Sequence, residues 1–120
     1  MATKLVKALI GDNQEKVYTY GLKNAFEGVS IKVRPATPLE GYNYLSVTTS
    51  DAFGQAVDFV TSHVVGWNIE AVDGSGVAPA DRKTVAMLPF PLLSWMADCI
   101  IGYSVPSSDG ESEGQSDAKN

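Results

Sequence analysis

Prolines and glycines fall at the ends of the periodic segments of this chain and keep each segment short. Pro35 follows an alternating segment, while Gly66 and Pro89 follow helical ones, and proline can continue neither a helix nor a central strand. No apolar run approaches the roughly 18 residues that a membrane-spanning helix needs, so no membrane span is expected. With 120 residues, 44% of them hydrophobic, the chain can bury one ordinary core. The pattern predicts one domain built from short elements.

The N-terminal third carries the strand signals. Hydrophobic and polar side chains alternate over residues 29–34 and Pro35 follows, which is typical of a half-buried strand. Residues 17–22 are rich in β-branched and aromatic side chains and favour a second strand. Residues 5–10 fit either a strand or half a helix. The first 28 residues therefore stay open between two hairpin strands, which we favour, and a helix followed by a strand.

The motif TPLE at residues 37–40 predicts the start of a short helix. Thr37 can cap the first turn, Pro38 suits the first helical position and Glu40 can reach back to the cap. We expect the helix to cover residues 38–45, with three apolar side chains on its inner face. These are Leu39, Tyr42 and Leu45.

The clearest helix signal lies in residues 51–65, where apolar side chains recur at helical spacing. One of the three hydroxyl residues at 48–50 can cap this helix, and Asp51 complements its positive end. The helix is expected to end near Gly66. Its apolar face consists of Phe53, Ala56, Val57, Val60 and Val64, with Phe59 and His63 at the edges.

Residues 66–76, with the sequence GWNIEAVDGSG, form a candidate structural corner. Residues 67–72 alternate like a strand, and residues 73–76 supply a turn whose glycines can take positive φ. We expect Trp67 to pack under the central helix and to seat the turn, so that the corner directs the last two helices. The corner residues are Gly66, Trp67, Asp73 and Gly74.

Two further helices are expected after the turn. One covers residues 80–88 and ends at Pro89, and Pro91 can open the last one, which ends at Gly102. The last helix has a wider apolar stripe than one core contact requires, so protein binding stands beside simple core burial as its role. The stripe consists of Leu92, Trp95, Met96, Cys99 and Ile100, widened by Leu93 and Ile101. The hypothetical partner-binding residues are Leu88, Phe90, Leu92, Trp95 and Met96.

Residues 105–120 differ in composition from the rest of the chain. Four acids and one lysine give this segment a charge of −3, out of −5 for the whole protein. Because the segment is rich in Ser, Gly and acids, it cannot offset the entropy of ordering. We therefore predict a single α+β domain over residues 1–104, with a small N-terminal antiparallel sheet or hairpin packed with three to four short helices. A disordered acidic tail is expected over residues 105–120.

His63 is the single histidine of the sequence and the first candidate for catalysis. A catalytic histidine would need a hydroxyl such as Ser62 or Ser94 and an orienting carboxylate such as Asp58 or Asp98. No nucleophile motif supports that arrangement. The sequence favours a partly exposed histidine near the end of a helix.

The remaining patterns also argue against catalytic, metal or cofactor sites. One cysteine, Cys99, allows neither an intrachain disulfide nor a thiol zinc cluster, and its spacing places it in the core. The glycine-rich segments match neither phosphate-binding pattern nor a calcium loop. Nine dispersed basic residues are too few for nucleic-acid binding. We expect a non-enzymatic protein of a reducing cytoplasm that binds another protein.

The order of these motifs resembles the tail assembly chaperones of long-tailed bacteriophages over residues 29–101. The resemblance implies a protein that coats the tape-measure protein in the cytoplasm of the bacterial host until tail-tube subunits replace it, and that forms homo-oligomers. A structural virion protein, such as a neck or tail-completion subunit, and a small cellular adaptor domain remain alternatives. The matching residues are Arg34, Pro35, Gly66, Trp67, Asn68, Asp73, Gly74, Leu88, Pro89, Leu92 and Leu93.

Overall fold

The computed structural model describes Leu5, residues 14–46, residues 50–103 and Pro106. Within these ranges the chain has the predicted α+β fold, with three strands and four helices. The alternatives for residues 5–10 fall, apart from Leu5, outside the described residues. The predicted disordered tail also falls outside them, apart from Pro106.

The three strands form one antiparallel sheet in the order β1-β2-β3. The strands are β1 (Lys16–Thr19), β2 (Ser30–Val33) and β3 (Val64–Trp67). On the central strand Ile31 pairs with Tyr18 on one side and with Trp67 on the other. Ile31 and Val33 are buried while Lys32 is exposed, which confirms the alternation predicted for this strand.

The strand predicted over residues 67–72 is wrong in its position. β3 starts at Val64, directly after a helix, and ends at Trp67. At Asn68 the pairing passes from the backbone to the side chain. The Asn68 amide still donates to the Ser30 carbonyl at 3.1 Å, and its carboxamide makes the next two bonds. The Ser30 amide donates to Asn68 Oδ1 at 2.7 Å, and Asn68 Nδ2 donates to the Gly28 carbonyl at 3.0 Å.

Side chains cap the start of three of the helices. The helices are α1 (Pro38–Ser46), α2 (Ala52–His63), α3 (Arg82–Val85) and α4 (Phe90–Ile101). The capping box of α1 is confirmed, since the Glu40 amide donates to Thr37 Oγ1 at 3.1 Å and the Thr37 amide donates to Glu40 Oε1 at 2.8 Å. At α2 the predicted cap among the hydroxyl residues at 48–50 is wrong. Asp51 is the cap, and its Oδ1 accepts from the Gly54 amide at 2.9 Å.

The third helix is shorter than the sequence indicated. Asp81 caps it by accepting from the Thr84 amide at 2.9 Å, and regular helix ends at Val85. α4 has Pro91 in its first turn and Gly102 as its left-handed C-terminal cap, with φ of 108°. Both of these assignments confirm the prediction.

The core lies between the sheet, α2 and α4. The largest fully buried side chains include Ile31 and Val33 from β2, Val57 and Val60 from α2, and Leu93, Met96, Cys99 and Ile100 from α4. Cys99 is therefore a core residue, as predicted.

The inner face predicted for α1 is wrong. Leu39, Tyr42 and Leu45 are all exposed. Glu40 and Tyr44, which lie one helical turn apart, face α2 instead: Glu40 contacts His63, and the Tyr44 ring stacks on the ring of Phe59 at 4.2 Å. The polar and aromatic contacts with α2 decide the orientation of this helix, and they leave its apolar side chains in solvent.

Candidate functional site

Part of the predicted partner-binding stripe lies inside the core. Leu92 is 3% exposed and Met96 is 0% exposed, so the assignment of these two residues to a partner-binding surface is wrong. Trp95 is half-buried, and its ring meets the Tyr20 ring edge-on at 5.2 Å. The width of the stripe is explained by its contacts, since one part of α4 packs against α2 while Trp95 packs against the residue that follows β1.

Phe90, in contrast, is 63% exposed, and Leu88 is half-buried. Both residues stand at the entrance to α4, where the chain turns at Pro89. The accessible apolar surface in this part of the molecule therefore lies at the connection from α3 to α4 and not along the helix.

An apolar groove of about 440 Å³ opens beside this connection. One wall belongs to the segment of residues 69–79, and the other belongs to the residues that join α3 to α4. Val72 and Met87 are strongly exposed at the groove. The apolar lining includes Ile69, Val72, Ala78, Met87, Leu88 and Pro89.

The predicted structural corner forms the first wall. The indole N–H of Trp67 donates to the Ala78 carbonyl at 2.7 Å, which ties the returning segment to the end of β3. Asp73 Oδ1 accepts from the Ser75 amide at 2.9 Å, and Gly74 has a φ of 74°. Asp73 and Gly74 thus form the turn, and Trp67 fixes the segment that returns from it. The packing of Trp67 under the central helix and the direction that the corner gives to the last two helices stay predictions.

Gly66 does not need to be glycine for the corner to form. Its φ is not positive, and a Cβ atom placed there would meet no atom within 4 Å. Glycine is required only where φ is positive or where the backbone approaches another group closely. Gly66 lies in β3 opposite Lys32, and its part in the corner stays a prediction.

The second wall depends on the anchoring of α3. Val85 is fully buried, and Arg82 Nε donates to Asp58 Oδ1 on α2 at 2.5 Å. The amides of Met87 and Leu88 donate to the carbonyls of Thr84 and Val85, at 3.0 and 3.1 Å, so the chain keeps turning beyond the helix. This turn leaves the Met87 side chain 68% exposed.

His63 is buried and lies between α1 and α2. It is 4% exposed, so the expectation of a partly exposed histidine is wrong. Its Nδ1 lies 2.8 Å from the Phe59 carbonyl and its Nε2 lies 3.3 Å from Glu40 Oε1. The Glu40 carboxylate of α1 and the Phe59 ring of α2 both lie against the imidazole.

The Ser62 hydroxyl lies 3.1 Å from His63 Nδ1, but the geometry is not that of a nucleophile with its base. The Phe59 carbonyl can only accept hydrogen bonds, so Nδ1 carries a hydrogen and donates to it. Ser62 Oγ donates to the same carbonyl at 3.0 Å. Nδ1 therefore has no lone pair for the Ser62 proton, and the cluster joins α1 to α2 instead of activating a hydroxyl.

The pKa of Glu40 is lowered, first by the hydrogen bond that its carboxylate accepts from the Thr37 amide and then by its hydrogen bond with the His63 ring. A carboxylate whose pKa is lower in the folded state stabilises the protein above its unfolded pKa, and this stabilisation is lost as the pH falls through the folded pKa. Because the Glu40 side chain is half-exposed, the effect stays below about 1 kcal/mol.

We therefore expect Glu40→Gln to reduce the dependence of stability on pH in the acid range. Glutamine can still cap the Thr37 amide but does not titrate. The free energy of unfolding of the wild type, from urea titrations, should exceed that of the variant at pH 6. The difference should shrink as the pH falls below the ordinary range of a glutamate carboxyl. A difference that stays constant as the pH falls would show that the Glu40 charge does not stabilise the fold.

Arg34, which the sequence offered as part of a motif, lies at the C-terminal end of α2. Its backbone amide donates to the His63 carbonyl at 2.8 Å, and its Nη2 donates to the Ser62 carbonyl at 2.5 Å. Two residues later the Ala36 amide donates to the Ile100 carbonyl at 3.1 Å. The segment after β2 thus satisfies carbonyls at the ends of both long helices.

Sequence reasoning missed Met87 as a residue of the groove. The signal that could have identified it is an apolar side chain two residues before Pro89, where regular helix cannot continue. The side-chain bonds of Asn68 at the end of the sheet were also missed, because their partners lie about forty residues away in the chain.

The fold and the groove define a small α+β protein with an accessible apolar cleft. No protein-family model, curated protein or solved structure matches the chain. In the described part of the chain, no helix combines the length and the apolar character needed to cross a membrane. Over the same residues, His, Cys, Asp and Glu side chains do not gather in groups of three or more that could hold a metal ion.

Proposed function

We propose that the protein is a non-enzymatic tail assembly chaperone of a long-tailed bacteriophage. In this role it binds the tape-measure protein in the cytoplasm of the bacterial host and keeps it soluble until the tail tube polymerises. The proposal starts from the motif resemblance over residues 29–101, and the observation that supports it best is the apolar groove. A chaperone for an aggregation-prone client must keep apolar surface accessible, and exposed apolar patches mark sites of protein binding.

The composition of the groove suits such a client. Val72, Met87 and Leu88 offer aliphatic and thioether groups, and Phe90 follows directly at the entrance to α4. Methionine adapts its shape to different apolar partners and is frequent at surfaces that bind several sequences. An amphipathic helix of the client can place its apolar residues into a groove of this kind.

The groove hypothesis predicts that Met87→Glu weakens client binding at least about tenfold, because burial of a side chain of this size contributes about 1.5 to 3 kcal/mol. The measurement is the soluble fraction of the tape-measure protein on co-expression, followed by pull-down of the complex. Sedimentation velocity of the same samples measures the self-association that the family resemblance implies.

The matched control is Leu39→Glu on α1. Leu39 is 67% exposed and Met87 is 68% exposed, so both variants add the same charge at equally accessible positions and should unfold at the same urea concentration. If Leu39→Glu abolishes client solubility while Met87→Glu leaves it unchanged, the groove is not the client site. If neither variant changes client solubility, the chaperone proposal loses its structural support.

A different measurement distinguishes the chaperone from the rival role of structural virion protein. A chaperone leaves the client during assembly, whereas a neck or tail-completion subunit stays in the particle. Quantitative mass spectrometry of purified virions should therefore detect at most trace amounts of this chain. Stoichiometric copies would favour the structural protein.

A further inference from the structure

The charged residues that line the groove are all acidic in the described part of the chain. Glu70 and Asp73 belong to the first wall, and both are exposed. The basic residues of α3, the helix that contributes Thr84 to the groove, are Arg82 and Lys83. Neither of them lines the groove, and Arg82 is bonded to Asp58.

The carboxylate of Asp73 is held in its ionised form. Hydrogen bonds from the side chain and the backbone amide of Ser75 lower the pKa of Asp73. This carboxylate therefore keeps its charge across the physiological pH range. The protein as a whole carries a net charge of −5, which adds to the negative potential at this apolar surface.

We propose that the groove selects a basic amphipathic helix, in which apolar residues are flanked by Lys or Arg side chains that meet Glu70 and Asp73. This inference rests on the proposed function, since it specifies which client segments the same groove binds. An apolar cleft with two carboxylates and no cation among its lining residues attracts a segment with flanking positive charge and disfavours one with flanking negative charge. Residues 105–120 of the chain itself are acidic and do not match this requirement.

The test uses the full chain and two synthetic helical peptides with the same apolar positions. One peptide carries lysines beside the apolar stripe and the other carries glutamates at the same positions. Fluorescence anisotropy gives the dissociation constant at about 50 mM and about 500 mM salt, because exposed ion pairs are strong at low ionic strength and screened at high ionic strength. We expect the lysine peptide to bind at least about fivefold more tightly at low salt and the difference to shrink at high salt.

The decisive variant combines Glu70→Gln with Asp73→Asn. The asparagine side-chain oxygen in this variant can still accept a hydrogen bond from the Ser75 amide. The turn is therefore retained while both charges are removed. The lysine peptide should bind the double variant about fivefold more weakly at low salt. The control is Asp109→Asn with Glu111→Gln, which changes the net charge by the same amount in the acidic segment and should leave binding unchanged.

The outcomes separate this inference from the proposed function. Equal binding of both peptides, together with an unaffected double variant, overturns the charge selection, even where Met87→Glu still abolishes client solubility. The charge selection is also overturned if Met87→Glu disrupts self-association of the chain without affecting either peptide. In that case a second copy of the chain occupies the groove. Unchanged client solubility with Met87→Glu counts against the proposed function, whichever peptide binds.

Discussion

Met96→Ala is expected to lower the free energy of unfolding by about 3 kcal/mol, within the range for large-to-small substitutions in protein cores. Met96 is fully buried and belongs to the cluster that α4 forms with Ile31, Val57 and Val60. Truncation removes about three heavy atoms of buried side chain and leaves a cavity that its close-packed neighbours fill only in part. Urea unfolding monitored by circular dichroism measures the loss.

Phe90→Ala is the matched control on the same helix. Because Phe90 is 63% exposed, its truncation should change the free energy of unfolding by less than about 0.5 kcal/mol. The pair thus separates the core side of α4 from its exposed entrance. A stable Met96→Ala protein that has lost client binding would instead restore the α4 stripe as a partner surface and contradict its burial.

His63→Ala is expected to cost about 3 kcal/mol and to loosen α1. The substitution removes a buried ring that contacts the Phe59 ring at 4.8 Å and breaks the contact with Glu40. It combines a cavity with the loss of hydrogen bonds, and these costs add. The measurements are urea unfolding and hydrogen exchange of the amides in residues 38–46, which should exchange faster in the variant.

Ser62→Ala provides the comparison. Ser62 is exposed, and its hydroxyl bonds to the carbonyl of Phe59 within its own helix, so its loss should change stability by less than about 0.5 kcal/mol. If the exchange rates in α1 were the same in wild type and His63→Ala, the Tyr44–Phe59 stack and the Gln55 bond to the Tyr44 carbonyl would be sufficient to hold the helix. The account of His63 as the residue that joins α1 to α2 would then be wrong.

Local signals in the sequence were sufficient to predict a structural feature wherever the residues that form it lie close together in the chain. The capping box of Thr37 and Glu40, the turn at Asp73 and Gly74, and the glycine cap at Gly102 all form within a few residues. The alternation of β2 was equally readable, since a strand that is buried on one face carries its pattern in its own side chains.

The candidate site could be predicted only in part, because its surroundings come from segments that lie far apart in the sequence. Leu88, which lines the groove, and the exposed Phe90 beside it were proposed from the apolar content around Pro89. Met87 was missed, and Leu92 and Met96, which are buried, were placed on the partner-binding side. An apolar stripe shows that a helix buries surface, but it does not show how much of that surface the rest of the same chain covers. That depends on the position of α2 and on the contact between Trp95 and Tyr20.

By itself the sequence determined the α+β class, the approximate positions of the helices, the capping box that begins α1 and the Gly102 cap that ends α4. Tertiary structure decided which side of α1 faces inward, that His63 is buried and that the accessible apolar surface is a groove beside Met87. The physical reason is the range of the interactions: capping and periodicity act over one or two turns, whereas burial depends on neighbours that are distant in the sequence. His63 shows the difference, because Glu40, which lies 23 positions earlier in the chain, contacts it.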